Sequence, residues 1–170
     1  MKLTQVERQI LYNQYDILSV LCPVDKELFE LNKTILLNGY VREYDGLMEL
    51  HDEVSTDICD FVYDVLTMYR ILYSSYHKLE DKSNISDEDV IFQGFDGNDE
   101  TQYYAFASFL LKDKKLYSEF KNVEVNSHAS RVGIYKSMLD IYTPIYDKMN
   151  KDRRYGSSLT EEEIIKIVDS

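Results

Sequence analysis

The chain has 170 residues, of which 19 are basic and 31 acidic, so its formal net charge is −12. This surplus of negative charge disfavours binding to nucleic acids and to anionic membranes, because both repel an acidic surface. Hydrophobic residues make up 44% of the chain, which is enough for one domain with a core and too many for a disordered protein. Because only six Gly and two Pro are present to form turns, we expect long helices rather than many short strands.

Two helices are predicted within the first 40 residues. Thr4 and Glu7 form a capping box, and apolar residues then recur at helical spacing, which predicts a first helix over residues 5–21. Asp25 suits the N-cap of a second helix, and Gly39 lies just beyond its end. The apolar residues are Val6, Ile10, Leu11, Ile17, Leu18 and Leu21 in the first helix, and a stripe expected to be buried, Leu28, Phe29, Leu31, Ile35 and Leu36, in the second.

The longest predicted helix is central. Apolar residues on one face extend from Ser55 to Leu79, and we expect this helix to form the spine of the fold. The polar stretch from Glu80 to Asp89 predicts an exposed loop. Within a single helical domain covering residues 1–170, it marks a possible boundary between two sub-bundles near residues 80–90.

Three further helices are expected downstream. Apolar spacing predicts one that reaches about Phe120 and a second that Pro144 kinks or ends. The apolar residues of the first are Tyr103, Phe106, Leu110, Tyr117 and Phe120. Thr160 and Glu163 form another capping box, with Leu159 in place as a hydrophobic staple, so a short C-terminal helix is expected. The whole pattern predicts an all-α, multihelical fold in which two small helical bundles share the long central helix.

The stretch GFDGNDE, from Gly94 to Glu100, concentrates turn-forming and acidic residues. Read as an EF-hand loop starting at Asp96, it lacks the Gly and the Glu required at the sixth and twelfth positions. No glycine-rich phosphate-binding motif is present either. We therefore interpret the stretch as the start of a helix, with Asp99 or Asn98 at the N-cap.

The polar segment VNSHASR, residues 125–131, precedes another predicted helix and brings Asn126, His128 and Arg131 close together in sequence. Two interpretations remain open. Ser130 can be a simple N-cap, or His128 and Arg131 can converge to bind a small anion at the helix N-terminus.

Spacing typical of metal ligands is absent, because His51, His77 and His128 lie far apart and neither Cys22 nor Cys59 belongs to a CxxC pair. Both cysteines have apolar neighbours and are expected to be buried thiols in a reducing compartment. We predict no metal and no cofactor. The sequence contains no apolar run long enough for a membrane span and no signal-peptide core, so a cytoplasmic location is expected.

Tyrosine and basic residues are both clustered. Tyr63, Tyr69, Tyr73 and Tyr76 crowd the central helix, where they can ring a pocket or an interface, or simply line the rim of the core. The basic clusters are KDKK, with Lys112, Lys114 and Lys115, and KDRR, with Lys151, Arg153 and Arg154; we interpret both as solvated faces or helix ends.

Several blocks of the sequence carry a family resemblance. They are ERQILYNQYDIL near the N-terminus, the central helix with Cys59, Asp64, Met68, Tyr69 and Leu72, the segment Gly94-Phe95-Asp96, and the group Asn126, Tyr135, Met138 and Leu139. In these blocks, and over nearly its whole length, the chain resembles the YfbU family of bacterial proteins. The resemblance implies an all-helical cytoplasmic protein and leaves the biochemical activity open.

Three functions are compatible with these features. The first is a non-enzymatic protein-interaction or regulatory module that forms a homo-oligomer, since no catalytic constellation is present and Tyr-rich surfaces suit interfaces. The alternative is an enzyme or small-molecule-binding protein with a pocket between the helical halves. The third is a nucleic-acid-linked regulator, which requires the two basic clusters to share one face. The candidate ligand or interface residues are Tyr69, Tyr73, Asp96, Tyr103, Asn126, His128 and Arg131.

Overall fold

The computed structural model describes residues 2–47, 50, 52–151 and 158–170, and in them the chain is all-α, as predicted. The α-helices are α1 (Gln5–Leu21), α2 (Lys26–Asn38), α3 (Thr56–Tyr76), α4 (Thr101–Ser108), α5 (Val132–Lys151) and α6 (Glu161–Val168). Short 3₁₀ turns are formed by Pro23–Asp25, Val41–Leu47, Asp87–Val90 and Ser118–Phe120, and Phe109–Asp113 forms a π-helical turn.

The contacts divide the chain into two compact units, unit 1 (Met1–Glu53) and unit 2 (Val54–Ser170). The division therefore falls just before α3, which lies wholly within unit 2. The sequence placed a possible boundary near residues 80–90, and that loop lies inside unit 2.

Unit 1 is an antiparallel hairpin of α1 and α2. The capping box at its start is confirmed, because the Thr4 hydroxyl accepts from the Glu7 N–H at 3.2 Å and the Glu7 carboxylate accepts from the Thr4 N–H at 2.7 Å. At the end of α2, Gly39 adopts the left-handed conformation with φ 69°. Arg8 of α1 then donates its Nε to the carbonyl of Leu36 at 2.8 Å, so its guanidinium caps the C-terminus of α2.

The core of unit 1 is small. Leu36, Tyr44 and Leu47 are its buried apolar residues, and Tyr15 donates its hydroxyl to the carbonyl of Leu47 at 2.7 Å. This bond ties α1 to the 3₁₀ turn that follows α2. The half-buried residues packed around the core are Leu3, Leu11, Tyr12, Tyr15 and Ile35.

Unit 2 is organised around α3. The Ser55 hydroxyl accepts from the Ile58 N–H at 3.3 Å and caps the helix, which begins at Thr56, one residue after the predicted start. The helix ends at Tyr76, three residues earlier than predicted. Its buried face packs into a core that includes Leu66, Met68 and Leu72 of α3 together with Phe92, Phe95, Leu110, Tyr135, Leu159 and Ile164.

The helix predicted to reach Phe120 is shorter, and this expectation is wrong. After the π-helical turn, Lys115 and Tyr117 both have φ of 54°, a left-handed conformation that ends helical geometry. The ring of Tyr117 is nevertheless buried, and the Arg70 guanidinium lies 4.0 Å above its centroid. Apolar spacing thus identified a residue that enters the core, although it enters from a turn rather than from a helix.

The last two helices differ in how far their predicted bounds hold. α5 does not end at Pro144, which was one of the two outcomes expected there, but continues to Lys151. Pro144 has no N–H to donate to the carbonyl of Asp140, four residues earlier in the helix. Both residues are exposed, so water can donate to that carbonyl instead. The capping box of Thr160 and Glu163 is confirmed at the start of α6.

Candidate functional site

Two loops of unit 2, residues 94–100 and 124–131, lie side by side. The Phe95 N–H donates to the carbonyl of Val125 at 2.9 Å, and the Ser127 N–H donates to the carbonyl of Phe95 at 3.0 Å. Gly94 has φ of 83°, and a Cβ at this position would lie 2.3 Å from the carbonyl oxygen of Val125. The close approach of the two loops therefore requires glycine at position 94.

Asp96 organises the first loop. It is buried, and its Oδ1 accepts from the N–H groups of Asn98 at 2.7 Å and Asp99 at 3.2 Å. The stretch does precede a helix, since α4 begins at Thr101, but the N-cap position is Glu100 and not Asn98 or Asp99. The helix begins later than expected because the N–H groups of Asn98 and Asp99 are held in a turn by the Asp96 carboxylate.

Glu100 joins the two loops to the start of α5. Its carboxylate is buried, with Oε2 accepting from the Asp96 N–H at 3.0 Å. Its Oε1 accepts from the N–H groups of Arg131 at 2.8 Å and Val132 at 2.7 Å. A negative charge thus occupies the positive end of α5, where it satisfies backbone donors that have no partner within the helix.

Four of the candidate residues belong to this junction. Asn126 accepts with its Oδ1 from the N–H groups of Gly97 and His128, each at 3.0 Å. His128 is exposed and has φ of 52°, while Arg131 is half-buried and its Nε is buried without a hydrogen-bond partner. The side chains of Asp96 and Asn126 therefore hold the loops together, while His128 and Arg131 take part through their backbone N–H groups. Anion binding by His128 and Arg131 stays a prediction, and the N–H groups of Arg131 and Val132 are already bound by Glu100.

The three tyrosine candidates lie elsewhere in unit 2. Tyr69 is buried, and its ring packs edge-on against the rings of Phe92 and Tyr135. Tyr103 packs against Phe95, and Tyr73 packs against Phe120 and His77 on the half-buried rim. These contacts are typical of aromatic residues in the core and at its rim. They agree with the simpler interpretation of the tyrosine cluster, in which the rings line the rim of the core.

Buried tyrosines predict a loss of stability at alkaline pH. Burial raises the pKa of Tyr69 to about 12 and also raises the pKa of Tyr135 and of Tyr142. Because unfolded tyrosine titrates near pH 10, these neutral phenols favour the folded state fully below pH 10 and less as the pH rises through their folded pKa values. We expect the free energy of unfolding to fall above about pH 10, as followed by urea unfolding at increasing pH.

Two variants test the origin of this pH dependence. Tyr69→Phe should reduce the alkaline loss of stability, whereas Tyr40→Phe, at an exposed position, should leave it unchanged. Phenolate absorbance and helical circular dichroism should be followed together. Complete titration of the fifteen tyrosines before any helix is lost would contradict the prediction.

Unit 1 contains a cleft of about 470 Å³. It is lined by Gln5, Arg8, Gln9, Tyr12, Leu36 and Leu37, none of which was among the seven candidates. The polar atoms of Arg8 that reach this region are engaged by the carbonyls of Leu36 and Leu37. The cleft is therefore explained by the way that α1 caps α2.

The outward face of α1 is the most unusual surface of unit 1. We call Val6, Ile10, Asn13, Ile17 and Val20 the outer stripe. Its apolar members are exposed by 69% at Val6, 53% at Ile10, 54% at Ile17 and 77% at Val20. Leu11, Tyr12 and Tyr15 of the same helix pack inward on the core of the unit. At about 100° per residue, the centres of these two faces lie roughly 180° apart, so α1 is apolar on opposite sides.

Exposed apolar residues are concentrated in this unit. Twelve of the fifteen large exposed hydrophobic residues identified in the described part of the chain lie before Glu53. Leu28 and Leu31, predicted to belong to a buried stripe of α2, are among them, and that prediction is wrong. The sequence showed which residues are apolar, but it could not show which of them the hairpin of unit 1 covers.

The two cysteines also differ from expectation. Cys22 is exposed and Cys59 is half-buried, although both were predicted to be buried thiols. Cys22 follows the last turn of α1, where the chain enters the 3₁₀ turn at Pro23. The apolar neighbours of Cys22 were a poor guide because Val20, Leu21 and Val24 are themselves exposed.

Membrane-spanning helices and clustered metal ligands would each indicate a functional class. No helix in the described ranges combines the length and apolar character needed to cross a membrane. Among those same residues, His, Cys, Asp and Glu side chains form no group of three or more placed to hold a metal ion. His51 and the arginines of the second basic cluster, Arg153 and Arg154, lie outside the described residues.

Comparisons with known proteins agree over the full length. The family model described as the YfbU domain matches residues 1–170. The UPF0304 protein MJECS11 of Methanocaldococcus jannaschii is 34% identical over 180 residues, covering 99% of this chain and 99% of that protein. A UPF0304 protein of Actinobacillus succinogenes is 27% identical over 172 residues, with 100% of both chains covered. Since the family model spans every residue from 1 to 170, this chain belongs to the YfbU family.

Proposed function

We propose that this protein is a non-enzymatic protein-interaction module that self-associates through the outer stripe of α1. The observation that carries the proposal is that α1 is apolar on two opposite faces, of which α2 and the turn after it cover only one. A helix that is apolar all round is normally buried all round. Contiguous exposed apolar surface of this kind marks interaction sites in soluble proteins.

The expected association is reversible. Two copies would together bury eight Val and Ile side chains, four from each outer stripe. These side chains are already partly covered, so completing their burial contributes on the order of 10 kcal/mol, and the loss of translational and rotational freedom opposes association by about 4 kcal/mol or more. The remainder, on the order of 6 kcal/mol, corresponds to a Kd of tens of micromolar.

Sedimentation of the full chain across a range of concentrations tests this proposal. We expect a monomer–dimer equilibrium, and we expect Ile10→Asp or Ile17→Asp to raise the dimer Kd by about 100-fold or more. Each substitution places a charge twice in the contact, once from each copy, at a position that is exposed in the single chain. Folding of the variants should be unaffected, as judged by circular dichroism.

A matched control comes from unit 2. Ile134→Asp adds the same charge at an exposed isoleucine in the first turn of α5, where an acidic residue is favourable. This variant should dimerise as the parent does. A parent chain that stays monomeric at concentrations well above the expected Kd would overturn the proposal. Loss of folding in both stripe variants would instead assign the outer stripe to packing within one chain.

A further inference from the structure

We infer that two copies pair their α1 helices antiparallel, about a two-fold axis that passes beside Asn13. The inference rests on the proposed self-association and adds its register and direction. It follows from the order of residues in the outer stripe, from the charges that border it and from the one amide within it.

The outer stripe has a symmetric sequence. Its members, Val6, Ile10, Asn13, Ile17 and Val20, follow one another in steps of four, three, four and three residues, which is the spacing of a coiled-coil seam. In an antiparallel pair centred on Asn13, Val6 faces Val20 of the second copy, since each lies seven residues from Asn13. Ile10 lies three residues before Asn13 and Ile17 four after it, so these two side chains meet with an offset of one residue. Every position then meets a residue of its own type. An in-register parallel pair also matches each position with its own residue type, so the antiparallel direction is inferred from the opposed helix dipoles.

The residues that border the stripe allow two acidic chains to come into contact there. At the helical angle of about 100° per residue, Gln9 and Gln14 flank the stripe on its two sides, and both are neutral amides. The nearest acidic residues, Glu7 and Asp16, are already engaged. Glu7 accepts from Thr4 in the capping box, and Asp16 pairs with Lys33 at 2.7 Å. Two chains of net charge −12 can therefore meet along a neutral strip.

Asn13 fixes the register. Its Oδ1 accepts from Nε2 of Gln9 at 2.9 Å, which leaves its amide nitrogen to donate to Asn13 of the second copy. A single Asn in an otherwise apolar seam specifies register at a cost in stability, because any other alignment buries its amide against apolar side chains. The antiparallel direction also places the two α1 dipoles in opposition, which is the favourable arrangement.

Cysteine cross-linking of the full chain, in a Cys22→Ser, Cys59→Ser background, tests direction and register. In the inferred dimer the two copies of residue 13 lie beside the axis, so Asn13→Cys should form a disulfide-linked dimer with itself. The two copies of residue 6 lie about 21 Å apart, far beyond the roughly 7 Å between Cα atoms that a disulfide spans. Val6→Cys alone and Val20→Cys alone should therefore stay uncross-linked, while a mixture of the two should form the linked dimer.

The possible results separate this inference from the proposed function. Self-linked dimers of Val6→Cys and of Val20→Cys would establish parallel pairing, which overturns the register and leaves self-association intact. A dimer in sedimentation that none of these cysteines cross-links would also overturn the register. A monomer in sedimentation would overturn both proposals.

A second variant addresses Asn13 directly. We expect Asn13→Leu to tighten the dimer by about tenfold, since it completes the apolar seam. In the same variant, Val6→Cys and Val20→Cys should begin to cross-link to themselves because the register is no longer fixed. A weaker dimer, or an unchanged pattern of cross-links, would count against the role given to Asn13.

Discussion

Replacing Gly94 by alanine is expected to destabilise unit 2 by about 3 kcal/mol or more. The added Cβ would lie 2.3 Å from the carbonyl oxygen and 2.6 Å from the carbonyl carbon of Val125. Neither atom belongs to a flexible side chain, so the two loops must separate. The left-handed φ of 83° adds a further cost for any residue with a Cβ.

Separation of the loops would also break specific bonds. The Phe95 N–H would lose the carbonyl of Val125, and the buried hydroxyl of Tyr135 would lose the carbonyl of Gly94, to which it donates at 2.8 Å. Urea unfolding of the full chain measures the effect. Gly133→Ala is the matched control, because a Cβ there meets nothing within 4 Å and the residue is helical. We expect this control to be neutral or stabilising by about 0.5 kcal/mol, and an equal loss in both variants would contradict the prediction.

Replacing Glu100 by alanine is expected to cost about 3–5 kcal/mol of unfolding free energy. The change removes the acceptor of three backbone N–H groups, those of Asp96, Arg131 and Val132. Hydrogen bonds to a charged acceptor contribute more than neutral ones, and the donors left behind are part-buried or buried. The first turn of α5 should loosen as a consequence.

Urea unfolding gives the global cost of this change, and hydrogen exchange gives a local measure of it. In Glu100→Ala, the amides of Arg131 and Val132 should exchange faster than in the parent. Glu100→Gln should lie between the two, since its single carbonyl oxygen can keep the α5 donors but not the Asp96 donor as well. Asp99→Ala removes the same charge from an exposed neighbour and should cost little. A similar cost for Asp99→Ala and Glu100→Ala would refute the assigned role.

Local signals in the sequence predicted the helix starts well. Thr4 with Glu7 and Thr160 with Glu163 each complete a hydrogen-bonded unit within four residues, so the information needed lies in one short stretch. The start of α3 near Ser55 was found from apolar spacing. These signals were sufficient to predict an all-α protein, whereas the YfbU family was predicted from blocks of residues that resemble that family.

Signals that depend on distant residues were missed. Glu100 follows a turn and precedes a helix, and nothing nearby indicates that it caps α5 instead of α4. The interior position of Tyr117 was predicted, but its left-handed backbone is held by the turn around it and by Arg70 of α3. Periodicity likewise detected the apolar residues of α1 and could not divide them into an inner and an outer face.

The cap on α5 has a consequence for the order in which unit 2 folds. The first turns of α1 and α6 are completed by side chains three residues away and can form as soon as those segments become helical. The first turn of α5 depends on a carboxylate 31 residues earlier in the chain. Closing that loop has an entropic cost that only the surrounding tertiary contacts offset. The start of α5 therefore reports on the assembly of the whole unit, whereas the starts of α1 and α6 report only on their own sequence.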